Sequence, residues 1–309
     1  METLELKQSV TFKNILFATD FSEVSKRAVP YAAVIASRYG SKIYVVHVIR
    51  PEARMPIPIE PLPPELDLGR VNAEREMANF LRGDTLGGIP HEIFLKEGAI
   101  WDVLSDLIER DEIDLLVLGT HGRGGLKKVI LGSVAEELFR LASCPVLTVG
   151  PAVPAEPAGS TEFRRILFAT DFGPASSHAL HYAISLATES KARLMLLHVV
   201  MPVPVLDVGP YWYAGTNPIE QQKTEKARYL DRLRDMIPPE INLPCDPEFL
   251  VDFDFTPDAI VRVADDLQAD LIVMGVNQTA SARASAHLPW ATAHAVVCHA
   301  KCPVLTVRS

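Results

Sequence analysis

The chain repeats itself, and this constrains its fold more than any other feature. Ten residues from Phe12 to Phe21, FKNILFATDF, recur from Phe163 to Phe172 as FRRILFATDF, displaced by 151 positions in a sequence of 309. At the same displacement Ser25 pairs with Ser176, Ala28 with Ala179, Tyr31 with Tyr182, Ala36 with Ala187, and His47-Val48 with His198-Val199. The run Leu115 to Gly119 matches Leu271 to Gly275 at 156 positions, and Cys144 to Val149 matches Cys302 to Val307 at 158. A repeat this long is a whole domain, so the chain is a tandem of two copies of one fold. Between them Gly150 to Gly159 (GPAVPAEPAG) reads as a linker, since Pro and Gly punctuate rather than extend regular structure, and the domains are expected at 1–154 and 155–309.

Within each copy, short runs of Val, Ile and Leu alternate with longer segments of helical period, the pattern of βαβ units around a parallel sheet. Five strands are expected in the first copy, at Asn14–Thr19, Lys42–Val48, His91–Leu95, Leu115–Leu118 and Val146–Val149. Five more are expected in the second, at Arg165–Thr170, Arg193–Val199, Glu248–Val251, Leu271–Met274 and Val304–Val307. Runs apolar on both faces belong to a sheet covered on both sides. Val29, Ala32, Ala33 and Ala36 fall at helical spacing and form a small-residue stripe read as core. The proline-rich segments Pro51 to Pro64 and Met201 to Pro218 cannot be continuous helix and are read as loops, either lids over a ligand or, with Tyr211, Trp212 and Tyr213, aromatic anchors to their own domain. The last strand of each copy is a candidate sheet edge.

Chemistry concentrates between the fourth strand and the last helix of the first copy, from Gly119 through Gly122, Arg123, Gly124 and Gly125 to Gly132-Ser133. Glycines let the backbone take positive φ and let an anion approach without Cβ atoms, so successive N–H groups can form a nest for phosphate oxygens. Ser133 is expected to begin a helix and, with Glu136, to form a Ser-x-x-Glu capping box. A helix N-terminus attracts anions through its N–H groups and dipole, so nest and helix start fall on one loop. Asp20 closes the first strand, either as a ligand acceptor or as a cap for the helix that follows.

The spacing Gly-x2-Gly-x9-Gly-Ser, together with ILFATDFS from Ile15, His47-Val48, the strand from Asp114 to Gly119 and Cys144-Pro-Val-Leu, resembles the universal stress protein (UspA-type) family in its ATP-binding branch. The resemblance covers both copies almost end to end. It implies an α/β fold of two tandem open parallel five-stranded sheets, ordered 3-2-1-4-5 with helices on both faces, Rossmann-like and similar to the adenine nucleotide alpha hydrolases. In that order ligands bind beyond the carboxyl ends of the strands, where strands one and four part. The resemblance further implies that Ala18, Thr19, Asp20 and Val48 line the adenine and ribose end of an ATP site. Gly119, His121, Gly122, Arg123, Gly132, Ser133 and Val134 would hold ribose and phosphates, with Mg2+ carried by the triphosphate. It also implies pairing of the two domains within one chain and a homodimer of chains.

The second copy departs from this pattern. Val276, Asn277 and Gln278 follow Gly275, and Trp290-Ala291 stands where Gly-Ser is expected, counting back from Cys302. The nest is lost there, although Asp171, Val199 and Gly275 leave room for a degenerate pocket. The reading is therefore a nucleotide-dependent stress-response protein with one ATP, in the first copy. A slow ATPase using His121 is the alternative, weakened because no carboxylate is placed by motif as a base and no Walker or kinase signature occurs; a ligand-free scaffold is a third. A net charge of −9 with interspersed signs opposes nucleic-acid binding, and Lys127-Lys128 reads as a solvated face. No run of about 18 apolar residues or secretory signal appears, so a cytoplasmic protein with no membrane partner is expected. Its four cysteines would be reduced there, and Cys298, His299 and Cys302 lack the second ligand pair of a metal site.

Overall fold

The structure is a computed structural model that describes residues 10–49, 68–82, 86–120, 132–154, 162–201, 218–276 and 288–308. It forms two compact units, one comprising Val10–Glu162 with Val297–Thr306, the other built on Phe163–Val296. The first copy runs β1 (Asn14–Ala18), α1 (Glu23–Tyr39), β2 (Lys42–Ile49), α2 (Leu68–Phe80), β3 (His91–Glu97), α3 (Ile100–Arg110), β4 (Leu115–Gly119), α4 (Ser133–Leu141) and β5 (Val146–Val149). The second runs β6 (Arg165–Ala169), α5 (Pro174–Ser190), β7 (Arg193–Val200), α6 (Pro218–Asp235), β8 (Glu248–Phe253), α7 (Thr256–Asp266), β9 (Leu271–Val276), α8 (Leu288–His299) and β10 (Val304–Arg308).

In the first unit the strands lie in the order β3-β2-β1-β4-β5, all parallel. Ala18 sits between Val46 of β2 and Leu118 of β4, so the chain leaves β1 where the sheet order reverses. Right-handed crossovers put α1 and α2 on one face and α3, which packs on α4, on the other. Ile15, Leu16 and Phe17 of β1 and Leu115 to Leu118 of β4 are buried whichever face they point to, as expected for a sheet covered on both sides. In the second unit the order β8-β7-β6-β9 repeats this arrangement.

All ten strands begin where expected. β1 and β6 stop one residue early, at Ala18 and Ala169, because the chain turns at once through Phe21 and Phe172, whose φ values are 63° and 61°. Of the stripe on α1, Val29, Ala32 and Ala36 are buried, while Ala33 is half-buried and Ile35 joins the core in its place. β5 ends the parallel sheet of its own copy and is buried throughout, with β4 on one side and antiparallel Val304–Thr306 on the other, while β3 ends the strand order opposite it, with His91, Glu92 and Ile93 exposed. Charged residues along such an edge oppose its pairing with a second chain. The linker is shorter than the composition suggests. Val153 is 1% exposed, and Arg27 of α1 donates to the carbonyls of Pro151 (3.2 Å) and Val153 (2.9 Å), so Gly150–Val153 is a packed turn. The proline-rich segments expected as loops, with Trp212 and its flanking tyrosines, lie outside the described residues except Met201 and the start of α6.

Two glycines set how closely helix and sheet approach. A Cβ on Gly119 would stand 2.9 Å from the Ser25 nitrogen, and one on Gly275 would stand 2.3 Å from the Ala175 carbonyl carbon. Both neighbours are backbone and cannot rotate away. Gly275→Ala should therefore destabilise the protein by about 2–3 kcal/mol, and Gly119→Ala by about 1–2 kcal/mol, as overpacked sites do. Thermal unfolding of the two variants measures this, and equal midpoints would show that the strand ends can move.

Candidate functional site

The candidate site of the first unit is built by the loop that leaves β1. Thr19 continues the sheet for one more bond, its N–H donating to the Val46 carbonyl at 2.9 Å, and its hydroxyl oxygen then accepts the Phe21 N–H at 3.0 Å. Asp20 Oδ1 accepts two bonds, from the Ser22 N–H at 3.0 Å and from the Ser25 hydroxyl at 2.7 Å. Ser22 Oγ caps α1 by accepting the Ser25 N–H at 3.2 Å. The cap is thus Ser22, and Asp20 locks the turn in front of it. Phe21 occupies the left-handed region, which costs a non-glycine residue about 1 kcal/mol. Its ring is held against His47 (4.2 Å between centroids) and Phe80 (5.8 Å). His47 Nδ1 lies 2.8 Å from the Thr19 carbonyl, which can only accept, so this nitrogen carries the proton.

Several sequence-predicted residues converge here. Ala18, Thr19 and Asp20 lie at the carboxyl end of β1, and Ser25 joins Asp20 through its hydroxyl to Gly119 through its backbone nitrogen. Thr120 follows, wholly buried, its N–H donating to the Val149 carbonyl at 3.0 Å and its carbonyl accepting the Gly132 N–H at 2.8 Å. This last bond brings the start of α4, and so Gly132, Ser133 and Val134, back to the end of β4. Val48 lies apart from this chain of contacts, on β2 opposite Lys96 of β3. His121, Gly122 and Arg123, with Lys127 and Lys128, lie outside the described residues. Asp20 is half-buried and Gly132 is partly open.

One local expectation fails. The capping box needs Ser133 in extended conformation before the helix, but Gly132 holds that place (φ −62°, ψ 145°) and Ser133 is already the first helical residue. Glu136 then lies one position too far along, and its N–H makes the ordinary helical bond to the Gly132 carbonyl. Gly132 offers no side-chain oxygen, so α4 starts without a side-chain cap. First-turn N–H groups not bonded by a cap are the ones an anion can use.

The second unit keeps the β1-type loop almost atom for atom. Thr170 accepts Phe172 N–H (2.9 Å), Asp171 Oδ1 accepts Gly173 N–H (2.8 Å) and the Ser176 hydroxyl (2.6 Å), and His198 Nδ1 donates to the Thr170 carbonyl (2.8 Å). Asp171 and Gly275, which at the sequence level suggest a surviving pocket, therefore each have a structural role that needs no ligand: a turn lock and a packing contact. What differs is the helix beyond β9. Counted back from the shared Cys-Pro-Val-Leu, α8 begins nearly one turn earlier than α4, which places the Trp290-Ala291 position within the helix instead of at its start. The rings also differ: Phe172 packs on His198 (4.4 Å) and Tyr229 (6.1 Å), and the Arg232 guanidinium lies 4.0 Å above the Phe172 ring.

Phe21, Ser25 and His47 were visible only as repeat matches. Phe80 and Tyr229 carry only a faint signal, in the match of Glu76-x-Ala78-x-Phe80-Leu81 to Glu225-x-Ala227-x-Tyr229-Leu230, and Arg232 lies beyond it. Among the described residues no three His, Cys, Asp or Glu side chains gather as a metal site, and no helix is long and apolar enough to cross a membrane. Cys144, Cys298 and Cys302 are buried thiols.

Fold and loop together define a doubly wound α/β protein with its candidate site at the switch point of each sheet. The universal stress protein family model matches twice, over residues 11–150 and 162–308. A universal stress protein of Mycolicibacterium smegmatis is 30% identical over 233 residues, covering 73% of this chain and 75% of that protein. One from Methanocaldococcus jannaschii is 29% identical over 139 residues, covering 45% of this chain and 82% of its own. The crystal structure of a universal stress protein from Archaeoglobus fulgidus superimposes with a TM-score of 0.65 at 19% identity, covering 96% and 97% of the two chains, a likeness of fold. The chain belongs to the universal stress protein family, as a tandem two-domain member.

Burial lowers the pKa of His198 from its ordinary 6.5, and the neighbouring Arg232 lowers it further, against the opposing pull of the Thr170 carbonyl and Asp171. A histidine with a depressed pKa binds fewer protons folded than unfolded, so its share of stability is complete above pH 6.5 and is lost as pH falls below it. His198→Asn keeps a donor for Thr170 and removes the titration. Unfolding midpoints taken at about pH 7.5 and about pH 5.5 should fall more steeply for the wild type than for this variant. Parallel slopes would contradict the assignment.

Proposed function

We propose that the first repeat of this chain binds ATP and that the protein acts in the cytoplasm as a nucleotide-dependent regulator of a stress response. In this reading Ala18, Thr19, Asp20 and Val48 meet adenine and ribose, and Gly119, His121, Gly122, Arg123, Gly132, Ser133 and Val134 meet ribose and phosphates. Mg2+ travels with the triphosphate, held by phosphate oxygens more than by protein. The supporting observation is the chain of contacts Asp20–Ser25–Gly119–Thr120–Gly132, which brings a carboxylate and a helix start without a side-chain cap to one end of the sheet. A carboxylate accepts from ribose hydroxyls or an amino group, and a helix start takes phosphate oxygens; an adenine nucleotide carries both partners. The second repeat, with α8 begun early, serves as a partner domain with no ATP of its own.

We place the domains at 1–154 and 155–309 and have them associate within the chain through their last strands, a reading supported by the antiparallel register of Val304–Thr306 on β5. Two chains then form a homodimer, which light scattering tests: a strict monomer at high concentration would remove the dimer.

Calorimetry with ATP tests the binding reading. The wild type should bind one ATP per chain, Gly122→Glu should bind none, and Asp20→Ala should bind about tenfold more weakly, the loss expected for one charge-assisted hydrogen bond. No heat from the wild type, in protein freed of co-purified nucleotide, would overturn it.

A further inference from the structure

The second repeat carries a cation at the turn that leaves its first strand. Arg232, on α6, lies over Phe172 with its Cζ 4.0 Å from the ring centroid. Among the described residues no carboxylate pairs with it; the nearby Asp231 is taken by Arg234 at 2.7 Å. The ring beneath it is held rigidly. Phe172 is fixed at φ 61°, backed by His198 and Tyr229, and its loop is tied by Thr170 and Asp171. Stacking spends one face of a guanidinium and leaves its in-plane N–H fork free to engage an oxyanion, the geometry in which arginine recognises phosphate. The position matters as much as the charge, since Phe172 follows β6 at the carboxyl end of the sheet, where open α/β sheets take ligands.

We propose that the second repeat has exchanged a backbone phosphate nest for a side-chain anion site, in which Arg232 binds a compact phosphate monoester and Asp171 accepts hydroxyls of the sugar attached to it. A triphosphate is disfavoured there, because a single guanidinium answers one phosphate and the glycine loop that would hold the others is replaced. Asp171 is exposed and immediately precedes Phe172, the ring on which Arg232 lies, so the carboxylate and the guanidinium are presented from one turn. The carboxylate would repel a bare anion and favours a ligand that brings donor hydroxyls beside its phosphate.

The full chain is titrated with ribose 5-phosphate, and with inorganic phosphate as the bare-anion control, in three forms: wild type, Gly122→Glu and Arg232→Gln. Arg232 is exposed and belongs to the second repeat, so Arg232→Gln should fold and bind ATP as the wild type does. Ribose 5-phosphate should bind wild type and Gly122→Glu alike and Arg232→Gln about tenfold more weakly. It should bind better than inorganic phosphate. A second readout follows from linkage: occupying Arg232 with an anion removes its repulsion of the His198 imidazolium, so the His198 pKa, followed by NMR, should rise on saturation and rise also in unliganded Arg232→Gln. Equal affinity in Arg232→Gln, loss of binding in Gly122→Glu, preference for inorganic phosphate, or no binding at millimolar concentration would each overturn the proposal. Because Gly122→Glu blocks the first loop, these outcomes are separate from whether ATP binds there.

Discussion

The contact on which the rest depends is the one between the end of a central strand and the first turn of the helix beside it. Gly119 and Gly275 allow backbone to touch backbone at that point. With the helix start so close, the loop leaving the first strand has little room, and it turns through a left-handed phenylalanine instead of a glycine. The aspartate–serine pair then closes it: Asp20 with Ser25, Asp171 with Ser176. Charge-assisted hydrogen bonds and a half-buried, packed ring offset the cost of the unusual φ. The carboxyl end of each sheet is therefore a stiff frame, made by one tight turn and the glycine that ends the neighbouring strand.

Two repeats of one chain supply a comparison that a single domain cannot. Both keep the frame, with hydrogen-bond lengths that match within a few tenths of an ångström. They diverge at the helix after the fourth strand and at the helix that covers the ring. Retained residues are thus poor witnesses to retained ligand: Asp171 and Gly275 persist because the frame needs them. The informative differences are those the frame does not demand, such as the early start of α8 and Arg232 over Phe172.

Much of this was legible in the sequence because duplication marks what is shared. Strand positions followed from apolar runs bounded by turn residues, and the order of the first sheet from the resemblance. Local chemistry at element ends was less legible. Ser133-x-x-Glu136 satisfies the capping-box pattern, yet the helix starts one residue early for it, since Gly132 takes the extended conformation the box reserves for serine. The linker was misjudged for a similar reason. Pro and Ala at 151–154 look like spacer, but Arg27, far away in sequence, pins their carbonyls. Arg232 could not have been found at all from a helix whose exposed face is rich in charge throughout.

The bond from Gly132 to the Thr120 carbonyl has a wider consequence. It fastens the two ends of the segment 121–131 together at 2.8 Å, independently of what that segment contains. Once the ends of a loop are joined by the framework, lengthening it adds little further entropy of closure, only a slowly growing logarithm of its length. The scaffold's own bonds, Gly132 to Thr120 and Thr120 to Val149, thus close this end of the sheet through residues outside that segment.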